Sequence, residues 1–141
     1  MLIVDAANVV GSRPDGWWRD RAGATGRLIT RIAVAVAAGS LAPPVVVVLE
    51  GRARSAAEPA LPEGLTVVRA PAAGDDTIVD VAASAGTGAP AGAVVVVTAD
   101  RALQQRVLAA GGRVWRPGRL LDLLPAEPDG YGRGRKGPSG R

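Results

Sequence analysis

The sequence predicts a three-layer α/β domain around a mainly parallel central sheet, and three observations lead there. Five short apolar runs recur along the chain: Leu2 to Val4, Val45 to Leu49, Leu65 to Val68, Ala93 to Val97 and Val114-Trp115. The second and fourth are unbroken valine blocks, the pattern of parallel strands covered on both faces. Segments with helical spacing lie between the runs, and that alternation points to crossover connections. At 141 residues the chain is long enough for one such domain with a real core and short for two.

The first strand, Leu2-Ile3-Val4, ends at Asp5, and the stretch that follows reads as a loop. Asp20 to Ala38 then carries Leu28, Ile29, Ile32, Ala33 and Val36 at spacings of three and four, with Arg21, Arg27 and Arg31 on the other side. This helix stops at Gly39-Ser40. Ile32 to Leu49 contains no charge for 18 residues, but Gly39-Ser40 and Pro43-Pro44 break it into helix end, turn and second strand. A long polar loop covers Gly51 to Pro62, before the third strand. Asp75 to Ala85 is the second helix, with Ile78, Val79, Ala82 and Ala83 as its apolar stripe, and a Gly/Ala/Pro turn follows from Ala85 to Gly92. After the fourth strand a helix runs from Asp100 to Ala110, with Leu103, Val107 and Leu108 expected inward, and ends at Gly111-Gly112. The fifth strand places Trp115 in the core, and a short helix over Arg119 to Leu124 stops before Pro125. The domain therefore spans residues 1–125, and residues 126–141 form a Gly/Arg-rich basic tail.

Composition narrows the chemistry. The chain has no histidine, no cysteine and no phenylalanine. That excludes a Ser-His-Asp triad, a thiol nucleophile, a His/Cys zinc site and a disulfide framework. With aromatics at 3%, the core must be built from Val, Ala, Leu and Ile. The net charge of +4 is unevenly placed: residues 1–130 balance 13 Arg against 13 acids, while Tyr131 to Arg141 carries Arg133, Arg135, Lys136 and Arg141 with no acid. Rich in Gly and poor in apolar residues, that tail is expected to be disordered in isolation. It suits a phosphate-binding arm or a solubilising end. Asp5 interrupts the first apolar run and no basic leader precedes it, so no secretory signal or membrane span is expected and the expected location is cytoplasmic.

In an open parallel sheet, functional groups gather at the carboxyl ends of the strands. Asp5 follows the first strand, Glu50 the second, and Asp100 the fourth with Thr98 between; Asp75 and Asp76 open the helix after the third. Strands one and four are expected to be neighbours near the sheet centre, which brings Asp5 and Asp100 together. Asp76 and Asp80 are four apart and share a helix face. Carboxylates gathered in one cleft suit Mg²⁺ or Mn²⁺, hard cations that take oxygen ligands. Singly, Asp75 and Asp100 equally suit helix caps. Asp5 is the most informative, because a charge abutting a buried valine-rich strand is costly unless something uses it. Asn8 can hold a water or a phosphate oxygen, or brace the loop; Thr98 can fix a ligand or cap the helix that follows.

VDAANVVG at the N-terminus, GDDTIVD in the middle and VVVVTAD further on together resemble the NYN branch of the PIN-like ribonuclease superfamily, and within it the YacP-like group. The resemblance covers about residues 1–125. It implies a three-layer α/β/α PIN-like fold and metal-dependent cleavage of RNA phosphodiesters. It also implies roles: Asp5, Asn8, Asp76 and Asp100 as the catalytic set, with Asp5, Asp76, Asp80 and Asp100, and Asp75 as a further candidate, holding one or two Mg²⁺ or Mn²⁺ ions. A water activated at the metal would attack phosphorus in line, and no histidine is needed.

Beside this site, SRPDGWWRDR offers Arg13, Trp17, Arg19 and Arg21 for phosphates and an unpaired base, although adjacent tryptophans also commonly divide into one that packs and one that covers. Arg52 and Arg54 extend a basic rim or stay solvated. RNA is the expected partner, and a homodimer is compatible with a small domain that exposes tryptophan. Two other readings stay open: a nucleotide phosphohydrolase using the same metal site, and a non-catalytic RNA-binding module whose carboxylates are structural. The absence of a GxxxxGK[ST] loop argues against a Walker-type NTPase.

Overall fold

The computed structural model describes residues 1–13 and 16–126; the basic tail expected from Tyr131 to Arg141 lies outside them. Five strands, β1 (Leu2–Asp5), β2 (Val45–Leu49), β3 (Leu65–Arg69), β4 (Val95–Val97) and β5 (Arg113–Trp115), form one sheet in the order β3-β2-β1-β4-β5. Every pairing is parallel, with Leu2 opposite both Val45 and Val95. The expected adjacency of β1 and β4 is present. All residues of β1 and β2 are buried, whereas the edge strands β3 and β5 are partly open.

Side chains alternate across the strands and divide the interior in two. Leu2, Val4, Val45, Val47 and Leu49 pack beneath α1 (Ala6–Gly11), α2 (Arg21–Ala37) and α5 (Pro117–Leu123). On the opposite face, Ile3, Val46, Val48 and Val96 meet Ile78 of α3 (Gly74–Gly86) and Leu103 and Val107 of α4 (Arg101–Ala109). These are the three expected layers. Ile29 and Ile32 of α2 are fully buried, and Asp20 caps that helix by accepting from Gly23 N at 2.9 Å.

Three local features differ from expectation. The segment after β1 is a helix rather than a loop: Asp5 caps α1, and burial of Ala6 and Val9 holds its inner face. Single 3-10 turns form over Trp17–Arg19 and Gly51–Ser55. In the second of these, Arg54 donates to Ala70 O at 3.1 Å, so it braces the chain after β3. Trp115 is half-buried against the larger core, with the Arg119 guanidinium 4.2 Å from its ring centroid. Among the described residues no helix is long and apolar enough to cross a membrane.

Candidate active site

From β1 the chain winds outward to β2 and β3, then returns across the sheet to β4 and β5 on the other side of β1. Connections that diverge in this way leave a crevice beyond the carboxyl ends of the two central strands. Asp5, the last residue of β1, meets the segment just past β4 there. Its side chain is buried, with 3% of the residue exposed. Thr98 Oγ1 donates to Asp5 Oδ2 at 2.9 Å, and Asn8 Nδ2 donates to the same oxygen at 3.1 Å. The other oxygen, Oδ1, receives only the long 3.5 Å bond from Asn8 N.

This network joins both central strands to their following helices. Asn8 Oδ1 accepts from Ala99 N at 3.2 Å, so one amide spans from the β1 side to the β4 side. Asp100 N donates to Thr98 Oγ1 at 3.1 Å, and Asp100 Oδ1 caps α4 by accepting from Leu103 N at 3.0 Å. Thr98 is fully buried, and its hydroxyl is engaged with Asp5 and Asp100. It positions the carboxylates from within the fold and offers no surface to a substrate.

Electrostatics draws in two more acids. Burial pushes Asp5 up to about 6; the bonds from Thr98 and Asn8 act against the shift, while Glu50 and Asp75 add to it. Burial also raises Asp75, followed by the negative charges of Asp100 and Glu50, with Arg106 opposing. Asp5, Glu50, Asp75 and Asp100 thus share one negative field. Among the described residues none of the four is in a salt bridge. Like charges gathered around a buried carboxylate are unfavourable unless a cation or a proton joins them.

Glu50 fixes the entry of α3. Its Oε2 accepts from Gly74 N, replacing the side-chain cap that Ala73 cannot supply. A Cβ at Gly74 would stand 2.8 Å from that oxygen, so the close approach requires glycine. The contact holds the first turn of α3, where Asp75 lies within electrostatic reach of Asp5 and Asp100. Asp76 is exposed and pairs with Arg106, whose two terminal nitrogens both lie 3.2 Å from Oδ1. Asp80 is exposed one turn along α3. The structure therefore gathers Asp5, Asn8, Asp75 and Asp100, adds Glu50, and leaves Asp76 and Asp80 at the outer edge.

The arginine and tryptophan segment divides as well. Trp17 is half-buried while Trp18 is 55% exposed, and their rings meet edge-on with centroids 6.2 Å apart. The Arg21 guanidinium carbon lies 5.2 Å from the Trp17 ring centroid. Both residues line a cleft of about 370 Å³ that also touches Thr25, Glu50 and Ala73. Arg13 lies elsewhere, beside a small cavity shared with Arg27 and Arg31, and Arg19 is exposed on the 3-10 turn.

The candidate ligand atoms of Asp5 and its neighbouring acids are carboxylate oxygens, as a hard divalent cation requires. No three acidic side chains among the described residues stand close enough to form a closed metal cage. Mg²⁺ is usually held by one or two carboxylates, with water and phosphate oxygens completing its shell. Asp5, with one lightly engaged oxygen, and its neighbour Asp75 fit that open mode.

An all-parallel five-stranded sheet covered by helices on both faces, with acids at its central strand ends, defines a three-layer α/β/α domain, the architecture expected of a PIN-like fold. No protein-family model matches the chain, and no curated protein matches it. Among solved structures it is similar to Rae1 (YacP) from Bacillus subtilis, at 18% identity and a TM-score of 0.61 over 86% of this chain and 71% of that one. The W164L mutant of that protein matches at 20% identity and a TM-score of 0.62, over 86% and 72%. The YacP-like fold that the three motifs imply is thereby borne out at the level of the fold.

Proposed function

We propose that the protein is a ribonuclease that hydrolyses RNA phosphodiesters with Mg²⁺ or Mn²⁺. One observation carries this reading: Asp5 is a buried carboxylate at the switch-point crevice, held by Asn8 and Thr98 among other acids and in no salt bridge among the described residues. A purely structural acid would be expected to acquire a cationic partner or give way to a neutral residue. The motif resemblance and the likeness of fold to Rae1 (YacP) support the same reading.

Asp5 and Asp75 would hold the cation, with Asp100 adding its negative charge to the site. The chemistry it supplies when bound is neutralisation of phosphoryl charge and activation of a water for attack at phosphorus. Asn8 and Thr98 keep the Asp5 carboxylate in one orientation. Glu50 anchors α3 so that Asp75 stays beside it, and Asp76, tied to Arg106, borders the opening. Arg21 and Trp17 face the substrate side.

The test is incubation of the purified protein with a single-stranded and a structured RNA in Mn²⁺ or Mg²⁺, beside Asp5→Asn. Cleavage by the wild type and none by the variant is the expected result. Undiminished cleavage by Asp5→Asn would overturn the site. RNA binding that is indifferent to EDTA, with no cleavage under any condition, would instead favour a binding module. Phosphate release from mononucleotides with RNA left intact would favour a nucleotide phosphohydrolase.

A further inference from the structure

The cleft beside Glu50 has no part in holding the carboxylates, yet it opens next to them. One wall is the Trp17 indole, kept in place from several sides: Trp18 meets it edge-on, Arg21 covers a face, and the ring lies close to Gly11, where a Cβ would be 3.5 Å from it. Ala7, Val10 and Ala53 add apolar lining. Two polar side chains complete it: Thr25, with 1% of the residue exposed, and Glu50, the residue it shares with the carboxylate group. A rigid aromatic wall with a guanidinium plane, an apolar lining and a few polar groups is the composition of a site for a flat heteroaromatic ring.

Size favours one ring system. At about 370 Å³ the cleft lies near the lower end of small-molecule pockets. A base can enter such a recess only when it is unpaired and turned out of its stack, with its face on the indole or on the guanidinium. Because Glu50 belongs to both the cleft and the carboxylate group, the cleft adjoins the acids where a cleaved phosphate would lie.

Resting on the ribonuclease reading above, we infer that this cleft is a nucleobase subsite, which takes the one unstacked base adjoining the cleaved phosphodiester, with Trp17 and Arg21 as its stacking wall. Stacking is tolerant of base identity, so the subsite fixes the position of the strand more than its sequence.

The test measures steady-state cleavage in Mn²⁺ of a short single-stranded oligoribonucleotide, and of the same strand with one abasic unit placed in turn at each position around the cleaved bond. With the full wild-type chain, an abasic unit at one position beside that bond should raise KM about ten- to a hundredfold. Trp17→Ala should raise KM for the intact strand by a similar factor while kcat changes little, and should make the enzyme indifferent to the abasic unit. Trp17→Phe should recover most of the affinity, which separates stacking from a loss of fold. Val34→Ala, exposed on α2 and outside the cleft, should behave as wild type. A Trp17→Ala enzyme with unchanged KM, or one still penalised by the abasic unit, would overturn the subsite while RNA hydrolysis stands. A wild type that cleaves no RNA removes the reading on which the subsite rests. A mononucleotide hydrolysed by the wild type and spared by Trp17→Ala, with RNA left uncut, would assign the cleft to free nucleotides and overturn the inference.

Discussion

At the end of β1 a carboxylate is ionised at the expense of the fold, and the sign of that cost can be worked out. Asp5 titrates at about 6 in the folded state against an ordinary 3.8, so between those values the folded protein holds a proton that the unfolded chain has lost. Stability therefore falls as pH rises through that window and levels off above it, by on the order of 3 kcal/mol. Asp5→Asn keeps an oxygen to accept from Thr98 and Asn8 and removes the charge. It is expected to melt several degrees above the wild type near neutral pH, to lose the acid-range slope, and to lose cleavage. Melts across the acid-to-neutral range check this; a variant melting at or below the wild type at neutral pH contradicts it. Thr98→Val has the opposite signature. It takes one donor from Asp5 and leaves Asp100 N without its acceptor, so about 1–3 kcal/mol of stability should go. Cleavage should drop about ten- to a hundredfold, as for groups that orient metal ligands, and its pH profile should move to higher pH as Asp5 becomes harder to ionise. Asp5 and Asp100 are legible because each follows an apolar run that marks a strand, and Asn8 because it follows Asp5 in VDAANVVG. The family resemblance put Asp76 in the catalytic set with Asp75 as a further candidate, but neighbouring helical residues point about 100° apart, and the phase of α3 pairs Asp76 with Arg106 and leaves Asp75 to the field of Asp5.

Among the elements, α3 depends on a residue outside itself. Its first N–H is satisfied by Glu50, and Gly74 leaves the space for that carboxylate. Gly74→Ala would push a methyl to 2.8 Å from Glu50 Oε2 and 3.2 Å from its Cδ, so the carboxylate must swing away. The helix itself accepts alanine, which is favoured over glycine by about 1 kcal/mol in a helix interior. Thermal stability should thus change by no more than about 1 kcal/mol, while cleavage falls about tenfold or more as Asp75 loses its register. Melts and kcat on the same preparation separate the two effects; full activity would show that the Glu50–Gly74 contact does not position the site. Glu50 carries little signal of its own, because an acid after a strand says nothing of a helix that starts 24 positions later. The sequence pattern also missed α1, for a plain reason: six residues show too little periodicity to separate from a loop, and its cap, Asp5, was already read as a strand-end acid.

For the molecule as a whole, the layers were legible because the strands signal their depth. Continuous Val45 to Leu49 marks a strand buried on both faces, while Leu65-Thr66-Val67-Val68-Arg69 shows the mixed burial of an edge. Sheet order is not written in any one run; it follows from where the crossovers can pack, and only the neighbouring of β1 and β4 was anticipated. Charge is the other whole-molecule property. Residues 1–130 balance 13 Arg with 13 acids, so the excess of +4 belongs to Tyr131 to Arg141. A neutral domain with an acidic crevice repels RNA locally, and long-range attraction must come from the basic segment if it contacts the strand. Removing residues 131–141 should then weaken binding to long RNA and make log K less steeply dependent on log salt by up to about 3, the contribution of four cations on a single strand. Cleavage of a short oligonucleotide at saturation should be unchanged, because Asp5, Asp75 and Asp100 stay in place. Binding measured over a series of salt concentrations, with and without the segment, decides the matter: an unchanged slope would make those residues a solubilising end with no hold on RNA.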